Sequence, residues 1–354
     1  MDMRVRLGSL KKIGIAAEGI AVFILLCILI SPESDTSRSA VSDEAQKDYI
    51  KWVDFDVTAE AMEAAYECDL DAHENGVDVG FVELLAYTAA KNGGKFGSRD
   101  LTVIEDLYET IRSGEATIDE LTRDLNYYSY YLEAYSAVLG GFVGEYEIET
   151  AGEGEEGDTV WEERYGLKVF SPIAKGFEYS DYDDFGAARS YGYQRQHLGH
   201  DMTGQIGTPI ICVESGYVEA LGWNQYGGWR IGIRSFDQKR YYYYAHLRQN
   251  YPYAEGLEEG SIVTAGDVIG YLGHTGYSTT ENVNNIDIPH LHFGIQLIFD
   301  ESQKEGNNEI WIDCYQITRF LSRNRSLTEK IQGTKEWKRV YDMKEPGAKA
   351  KETG

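Results

Sequence analysis

The sequence predicts a multi-domain chain with an N-terminal transmembrane helix, a small α-helical bundle and an antiparallel all-β domain. Three observations support this prediction. An apolar run lies near the N-terminus, hydrophobic residues recur at helical spacing from about residue 57 to 140, and short strand-like segments separated by glycine turns follow from about residue 160. With 354 residues and 42% hydrophobic content, the chain is long enough to bury one or two cores.

The N-terminal segment has a basic flank followed by an apolar run from Ile13 to Ile30. Eighteen helical residues span about 27 Å, close to the thickness of the hydrocarbon core of a bilayer. No small-x-small cleavage site ends the run, which favours an uncleaved anchor over a removed signal peptide. Because the basic flank should stay in the cytoplasm, we expect a single-pass membrane protein with extracytoplasmic C-terminal domains.

Changes in composition divide the chain into five segments. They are a basic flank with the anchor (1–30), a polar linker (31–54), a helical domain (55–145), a β-domain (160–325) and a charged tail (326–354). In the helical domain, Thr58 is a candidate N-cap and "VGFVELLAYTAAKNGG" ends in a glycine stop. No cluster of reactive side chains occurs there, which favours a spacer or packing role and leaves a protein partner as the alternative.

The charge and the cysteines exclude some classes of function. A net charge of −26 argues against a nucleic-acid partner, because phosphates would be repelled. The four cysteines, Cys27, Cys68, Cys212 and Cys314, form no Cys-x-x-Cys pair. The sequence therefore argues against a disulfide framework and against a cysteine-based zinc site.

Five of the seven histidines fall in three motifs of the β-domain, "HLGHD", "YAHL" and "PHLHFG". Residues two apart on a strand share a face, so His290 and His292 should point the same way while Leu291 and Phe293 face the core. Both imidazoles could bind zinc, or one could bind while the other transfers protons. The local pattern does not choose between these alternatives.

The same alternation predicts that Tyr242, Tyr244 and His246 share a face, so that His246 could reach a common pocket. In "HLGHD", an extended segment and a helical turn both pair His197 with Asp201. His200 is then expected on the opposite face, as a bystander.

A histidine and an aspartate from "HLGHD", with one histidine from "PHLHFG", would supply three nitrogen and oxygen ligands suited to zinc. Three protein ligands leave a fourth position for water, which is the arrangement of catalytic zinc sites. The remaining histidines could then transfer protons and stabilise an oxyanion.

His-x-x-x-Asp, Tyr-Ala-His-Leu and His-x-His, in this order, resemble the lysostaphin-type (LytM-type) zinc endopeptidases of peptidoglycan, over about residues 165–299. The resemblance implies a two-sheet antiparallel fold of the duplicated-hybrid-motif type. It also implies that His197, Asp201 and His292 bind Zn2+. By the same resemblance, His246 and His290 flank the zinc-bound water and act in water activation and oxyanion stabilisation.

The resemblance implies a zinc metalloendopeptidase that hydrolyses peptide bonds of peptidoglycan stems or cross-bridges. The alternative is a non-catalytic wall-binding or scaffold protein whose zinc site is structural or blocked, which the complete set of five residues disfavours. Sugar phosphotransfer on a related fold is disfavoured by the expected outward topology. An iron oxygenase is disfavoured because its carboxylate usually lies two residues from the first histidine.

Overall fold

A computed structural model of the protein describes residues 49–152, 158–191, 193–304, 306 and 308–345. The expected anchor, Ile13–Ile30, lies outside these residues. Among the helices that are described, none combines the length and apolar character needed to cross a bilayer. The longest of them, Ala59–Asn75, has 17 residues and carries several carboxylates. This finding contradicts the prediction of a single-pass membrane localisation.

Five helices come first along the described chain. They are α1 (Ala59–Asn75), α2 (Phe81–Asn92), α3 (Ser98–Arg112), α4 (Ile118–Thr122) and α5 (Tyr128–Leu139). Helix α1 begins where the Thr58 hydroxyl accepts a hydrogen bond from the Ala61 amide, and it ends at Gly76, whose φ of 67° is left-handed. The predicted helical character of this region is confirmed.

The larger sheet of the described residues has eight antiparallel strands. Its spatial order is β11 (Ile262–Val263), β8 (Gly216–Asn224), β9 (Gly228–Ser235), β10 (Arg240–Ala245), β13 (His290–Leu297), β6 (His200–Gly204) and β3 (Tyr179–Ser180), with β14 (Ile310–Ile312) also paired to β13. This sheet carries the side chains of the predicted site on β6 and β13.

Smaller antiparallel sheets surround it, so the strands are distributed over more sheets than the two that the resemblance implied. They are β1 (Val143–Ala151), β2 (Thr159–Leu167) and β17 (Met343–Lys344); β4 (Ala188–Tyr191) and β5 (Tyr193–Gln196); β7 (Pro209–Ile211) and β12 (Val268–Tyr271); and β15 (Thr328–Lys330) and β16 (Trp337–Arg339). The mostly antiparallel β character is confirmed.

One face of the large sheet is buried in the hydrophobic core. On β13, Leu291 and Phe293 are fully buried, as the alternation of a strand predicts. Tyr242 and Tyr244 of β10 pack on Phe293, with ring centroids 6.2 and 5.2 Å away. The same cluster of buried side chains continues into the helices through residues such as Met62.

A short helix, α6 (Tyr315–Leu321), lies between the helices and the sheet. Its Phe320 ring stacks on Phe81 of α2 at 6.0 Å and meets the edge of Tyr66 of α1 at 6.1 Å. On the strand side, Thr318 contacts the His200 ring of β6 at 2.7 Å. The helical region and β6 are therefore packed against the same helix.

A buried arginine also joins the helices to the sheet. The Arg240 guanidinium of β10 donates to both carboxylate oxygens of Glu214, at 2.7 and 3.0 Å, and to the Ala137 carbonyl near the end of α5, at 2.7 Å. The Tyr242 hydroxyl donates to Glu214 at 2.6 Å. These hydrogen bonds satisfy charges that would otherwise be costly to bury.

We expect Glu214→Ala to lower the free energy of unfolding by about 3 kcal/mol or more, because it leaves the buried Arg240 charge without its main partner. Urea unfolding followed by circular dichroism measures this change. Glu301→Ala is the matched control, since it removes an exposed partner of Arg234 and should cost under about 1 kcal/mol. A loss of under about 1 kcal/mol in Glu214→Ala would contradict the assigned role.

Candidate metal centre

The pairing of β6 with β13 brings two of the predicted ligands together. Asp201 lies directly opposite His292 in the antiparallel register. Directly opposed residues of an antiparallel pair project from the same face, so the carboxylate and the imidazole meet. His197 comes from the loop just before β6, which backbone hydrogen bonds from Gly186 and to Ala187 hold in place.

Three donor atoms converge at this point. His197 Nε2, Asp201 Oδ1 and His292 Nδ1 lie 2.9 Å from one another in all three pairs. Donors bound about 2.0–2.2 Å from a tetrahedral zinc lie about 3.3 Å apart, so the observed spacing is close to that of a zinc site. Two nitrogens and one oxygen also match the donor types that zinc takes in catalytic sites. The residues present therefore fit the metal.

Gly199 allows the His197 loop to pass over His292. A β-carbon at position 199 would lie 2.6 Å from His292 Cε1 and 2.6 Å from the Phe293 carbonyl oxygen. Contacts this short do not occur for real side chains, so only glycine fits. The bend at Gly199 brings His197 to Asp201 although His197 itself lies outside the strand.

Asp184 and Arg189 surround the three ligands and were missed in the sequence. His197 Nδ1 lies 3.2 Å from the Asp184 carbonyl and 3.1 Å from its carboxylate, so this nitrogen donates and Nε2 is the atom that would bind a metal. Arg189 contacts the Asp184 carboxylate and lies 3.5 Å from Asp201 Oδ2. Asp184 reaches the site from a loop, and Arg189 from the hairpin of β4 and β5. Contacts made in this way follow no regular spacing in the sequence, which is why neither residue was predicted.

The protonation states of Asp201 and His292 suit a cation, whereas His197 has to give up a proton when a metal binds. Burial alone would lower the pKa of His197, but its hydrogen bond with Asp201 and the charges of Asp201 and Asp184 outweigh burial and raise that pKa. Burial alone would raise the pKa of Asp201, but hydrogen bonds with His197 and His292 outweigh it and hold that pKa well below its usual range. Burial lowers the pKa of His292. The structure thus presents an ionised carboxylate beside a neutral imidazole, which is the form in which these groups bind metals.

His246 and His290 lie beside the three ligands. The His246 ring centroid is 4.8 Å from that of His290 and 5.9 Å from that of His292. His246 Nδ1 donates to the Thr275 carbonyl at 2.9 Å, and His290 Nδ1 donates to the Ile288 carbonyl at 2.8 Å. In the neutral form of an imidazole held in this way, Nε2 is the nitrogen with a free lone pair.

Burial, reinforced by the neighbouring His290 and His292, lowers the pKa of His246 well below its usual value. The His246 ring is therefore neutral. His290 Nε2 lies 3.7 Å from Asp201 Oδ1. All five residues predicted for the site are thus brought together at one place.

The prediction that His246 shares a face with Tyr242 and Tyr244 is wrong. Those tyrosines point into the core, whereas His246 lines the cleft together with Tyr243. Strand β10 ends at Ala245, and His246 has a left-handed φ of 62°, which breaks the alternation.

His200 faces away from the ligands, as expected. It is buried, and its ring contacts Thr318 of α6 at 2.7 Å and the Asp181 carboxylate at 3.1 Å. His274 donates to the Ile286 carbonyl at 2.8 Å. Within the described part of the chain, the only group of three or more acidic, histidine or cysteine side chains spaced to hold a metal is His197, Asp201 and His292.

A cleft of about 600 Å³ opens above the ligands. Its walls include His246 and His290, and also Arg189, Arg195 and Arg230. This volume is typical of sites that bind a small ligand or a short stretch of a polymer.

Comparison with known proteins identifies a family whose members are similar to the part of the chain that forms this cleft. Residues 195–306 match Peptidase family M23. The L-Ala–D-Glu endopeptidase of Bacillus subtilis is 40% identical over 124 residues, which are 35% of this chain and 36% of that protein. Lysostaphin of Staphylococcus simulans is 38% identical over 98 residues, which are 27% of this chain and 17% of that protein. The chain thus spans about a third or less of the length of these relatives.

Among solved structures, the catalytic domain of Staphylococcus simulans lysostaphin aligns with 30% identity and a TM-score of 0.31, covering 40% of this chain and 92% of that one. The matched segment 195–306 contains the three candidate ligands and both flanking histidines. This segment of the chain is a Peptidase family M23 domain.

Proposed function

We propose that the chain is a zinc metalloendopeptidase that hydrolyses peptide bonds of peptidoglycan stems or cross-bridges. The observation that carries this proposal is the convergence of His197, Asp201 and His292 at 2.9 Å on the floor of a cleft. The family of the matched segment and the names of its relatives support it.

In this proposal His197, Asp201 and His292 hold the zinc ion. A zinc ion bound by three protein ligands supplies Lewis acidity, which polarises a carbonyl group and lowers the pKa of water to about 7. Asp184 and Arg189 keep the His197 ring and the Asp201 carboxylate in the geometry that the ion requires.

His246 and His290 carry out the proton transfers. Each has a lone pair on Nε2, because its Nδ1 donates to a backbone carbonyl. That nitrogen can accept the proton of the attacking water and later deliver it to the nitrogen of the leaving amine as the peptide bond breaks. While protonated, either ring is a hydrogen-bond donor beside the developing oxyanion.

We also propose that residues 55–145 serve as a packing domain for the β-domain of residues 160–325. The contacts of Arg240 with the end of α5 and of Phe320 with Phe81 support this role. A protein partner of the helical region is the alternative. The expected charged tail (326–354) contains the strands β15, β16 and β17, and β17 pairs with β1, so its described part is folded.

We expect His292→Ala to lose zinc, because His292 is a ligand. We expect His290→Ala to keep zinc but to hydrolyse its substrate about 10²–10⁴-fold more slowly, because His290 transfers protons. Metal content by mass spectrometry and release of new amino groups from peptidoglycan measure these effects. His73→Ala removes an exposed histidine outside the cleft and should change neither. Full activity in His290→Ala would contradict its role, and binding of peptidoglycan without cleavage by the zinc-loaded protein would favour the wall-binding alternative.

We expect Asp184→Ala to weaken zinc binding about 10–100-fold, because Arg189, which lies 3.5 Å from Asp201 Oδ2, loses its carboxylate partner. The backbone carbonyl that accepts a hydrogen bond from His197 Nδ1 is retained in this variant. Competition with a fluorescent zinc chelator measures the affinity. Asp183→Ala is the matched control, since Asp183 is the exposed neighbour of the buried Asp184. Equal zinc affinities in the two variants would show that Asp184 has no positioning role.

A further inference from the structure

The hairpin of β4 and β5 carries two arginines that contact different parts of the cleft. Arg189 lies directly opposite Arg195 in the register of this hairpin, so the two side chains project from the same face. Arg189 contacts Asp184 and lies 3.5 Å from Asp201, beside the candidate metal ligands. Arg195 instead contacts the side of the cleft that carries His246.

The Arg195 guanidinium contacts two tyrosine rings. Its Nη2 donates a hydrogen bond to the Tyr277 hydroxyl at 2.6 Å. Its guanidinium carbon lies 4.9 Å from the centre of the Tyr277 ring and 5.1 Å from that of Tyr226. Within the described part of the chain, Nη1 is buried without a hydrogen-bond partner. The two tyrosines therefore provide the side-chain contacts that fix this guanidinium, through stacking and a hydrogen bond.

These tyrosines belong to two loops that flank His246. Tyr226 lies in the turn between β8 and β9, and the carbonyl of the next residue, Gly227, accepts a hydrogen bond from the His246 amide at 2.7 Å. Tyr277 lies in the loop after β12, and its ring meets the edge of the His246 ring with centroids 5.9 Å apart. The carbonyl that accepts from His246 Nδ1 lies two residues earlier in the same loop. Arg195 thus contacts both loops that hold the backbone and the ring of His246.

The backbone conformations of His246 and Tyr277 need such support. Their φ angles are 62° and 48°, in the left-handed region that residues other than glycine rarely adopt. A conformation of this kind persists only where the surrounding contacts enforce it. The two loops are in close contact, because the Tyr277 amide donates to the Tyr226 carbonyl at 3.3 Å and a β-carbon on Gly276 would lie 2.6 Å from that oxygen. Fixing either tyrosine therefore restricts both loops.

We propose that Arg195 is a positioning residue for His246, and that by holding Tyr277 and Tyr226 it keeps the His246 ring in the orientation from which Nε2 transfers a proton. The inference rests on the proposed hydrolase function. A general base acts only within hydrogen-bond reach of the proton it accepts, and a small displacement lowers the rate strongly. Because Arg189 of the opposed strand contacts the ligand side, the same hairpin holds the ligands and His246 in register with one another.

Steady-state hydrolysis of a soluble peptidoglycan peptide by the zinc-loaded protein tests this role. We expect Arg195→Gln to lower kcat about tenfold with KM and zinc content changed less than about twofold, because the position of a proton-transfer group affects the reaction step. Arg195→Lys should recover part of the loss, since an ammonium can donate to the Tyr277 hydroxyl but cannot stack as a planar group. Lys304→Gln removes a cation of the same cleft that is paired with Glu219 and should leave kcat unchanged.

Tyr277→Phe tests the route from Arg195 to His246 with a milder change. It keeps the ring against His246 and removes only the hydroxyl that Arg195 contacts. We expect kcat to fall, and the double variant Arg195→Gln, Tyr277→Phe to be no slower than Arg195→Gln alone, because both changes break the same contact. An unchanged kcat in Tyr277→Phe would contradict the route even if Arg195→Gln failed to fold. A raised KM with unchanged kcat in Arg195→Gln would show that Arg195 binds substrate and would overturn the positioning role.

The imidazole NMR signals of the zinc-loaded protein provide a readout that does not depend on hydrolysis. His246→Gln identifies the His246 signal, and we expect Arg195→Gln to shift it while the signal of the exposed His73 stays unchanged. Unchanged His246 signals and unchanged kcat in Arg195→Gln would overturn the positioning role and leave the hydrolase intact. A shifted His246 signal, in a protein whose unsubstituted form cleaves no peptidoglycan peptide, would refute the hydrolase and retain the control of the ring by Arg195.

Discussion

The antiparallel pairing of β6 with β13 is the constraint on which the site depends. It sets Asp201 opposite His292 and leaves Leu291 and Phe293 on the reverse face, so one alternation builds both the core and the cluster of ligands. A slip of one residue in this register would turn His292 into the core and separate it from the carboxylate. The tight packing of the core is therefore also what fixes the position of the donors.

The ionisation states of the site depend on how deeply each charged side chain is buried and on which side chains contact it. Asp201 stays ionised because two imidazoles contact it, and Arg189 and Asp184 continue that network. Across the cleft, Arg195 is held by tyrosines and not by a carboxylate. The paired charges around Asp201 keep the metal ligands in place.

Regular periodicity determined what could be predicted from the sequence. The helical region, the antiparallel β-domain, the shared face of His290 and His292 and the position of His200 on the face away from the ligands all follow from strand or helix periods. His246 was placed correctly in the cleft but for a wrong geometric reason, because its left-handed φ ends the alternation of β10. Asp184 and Arg189 were missed because a loop and a hairpin bring them to the ligands, and such contacts leave no periodic pattern in the sequence.

The central claim is that two imidazoles and one carboxylate of this chain bind a single zinc ion. Zinc K-edge X-ray absorption of the protein loaded with one equivalent of zinc tests it most directly. The account predicts only nitrogen and oxygen neighbours at about 2.0–2.2 Å, with the outer-shell scattering of two imidazoles. A sulfur neighbour at about 2.3 Å, or scattering from three or more imidazoles, would contradict it.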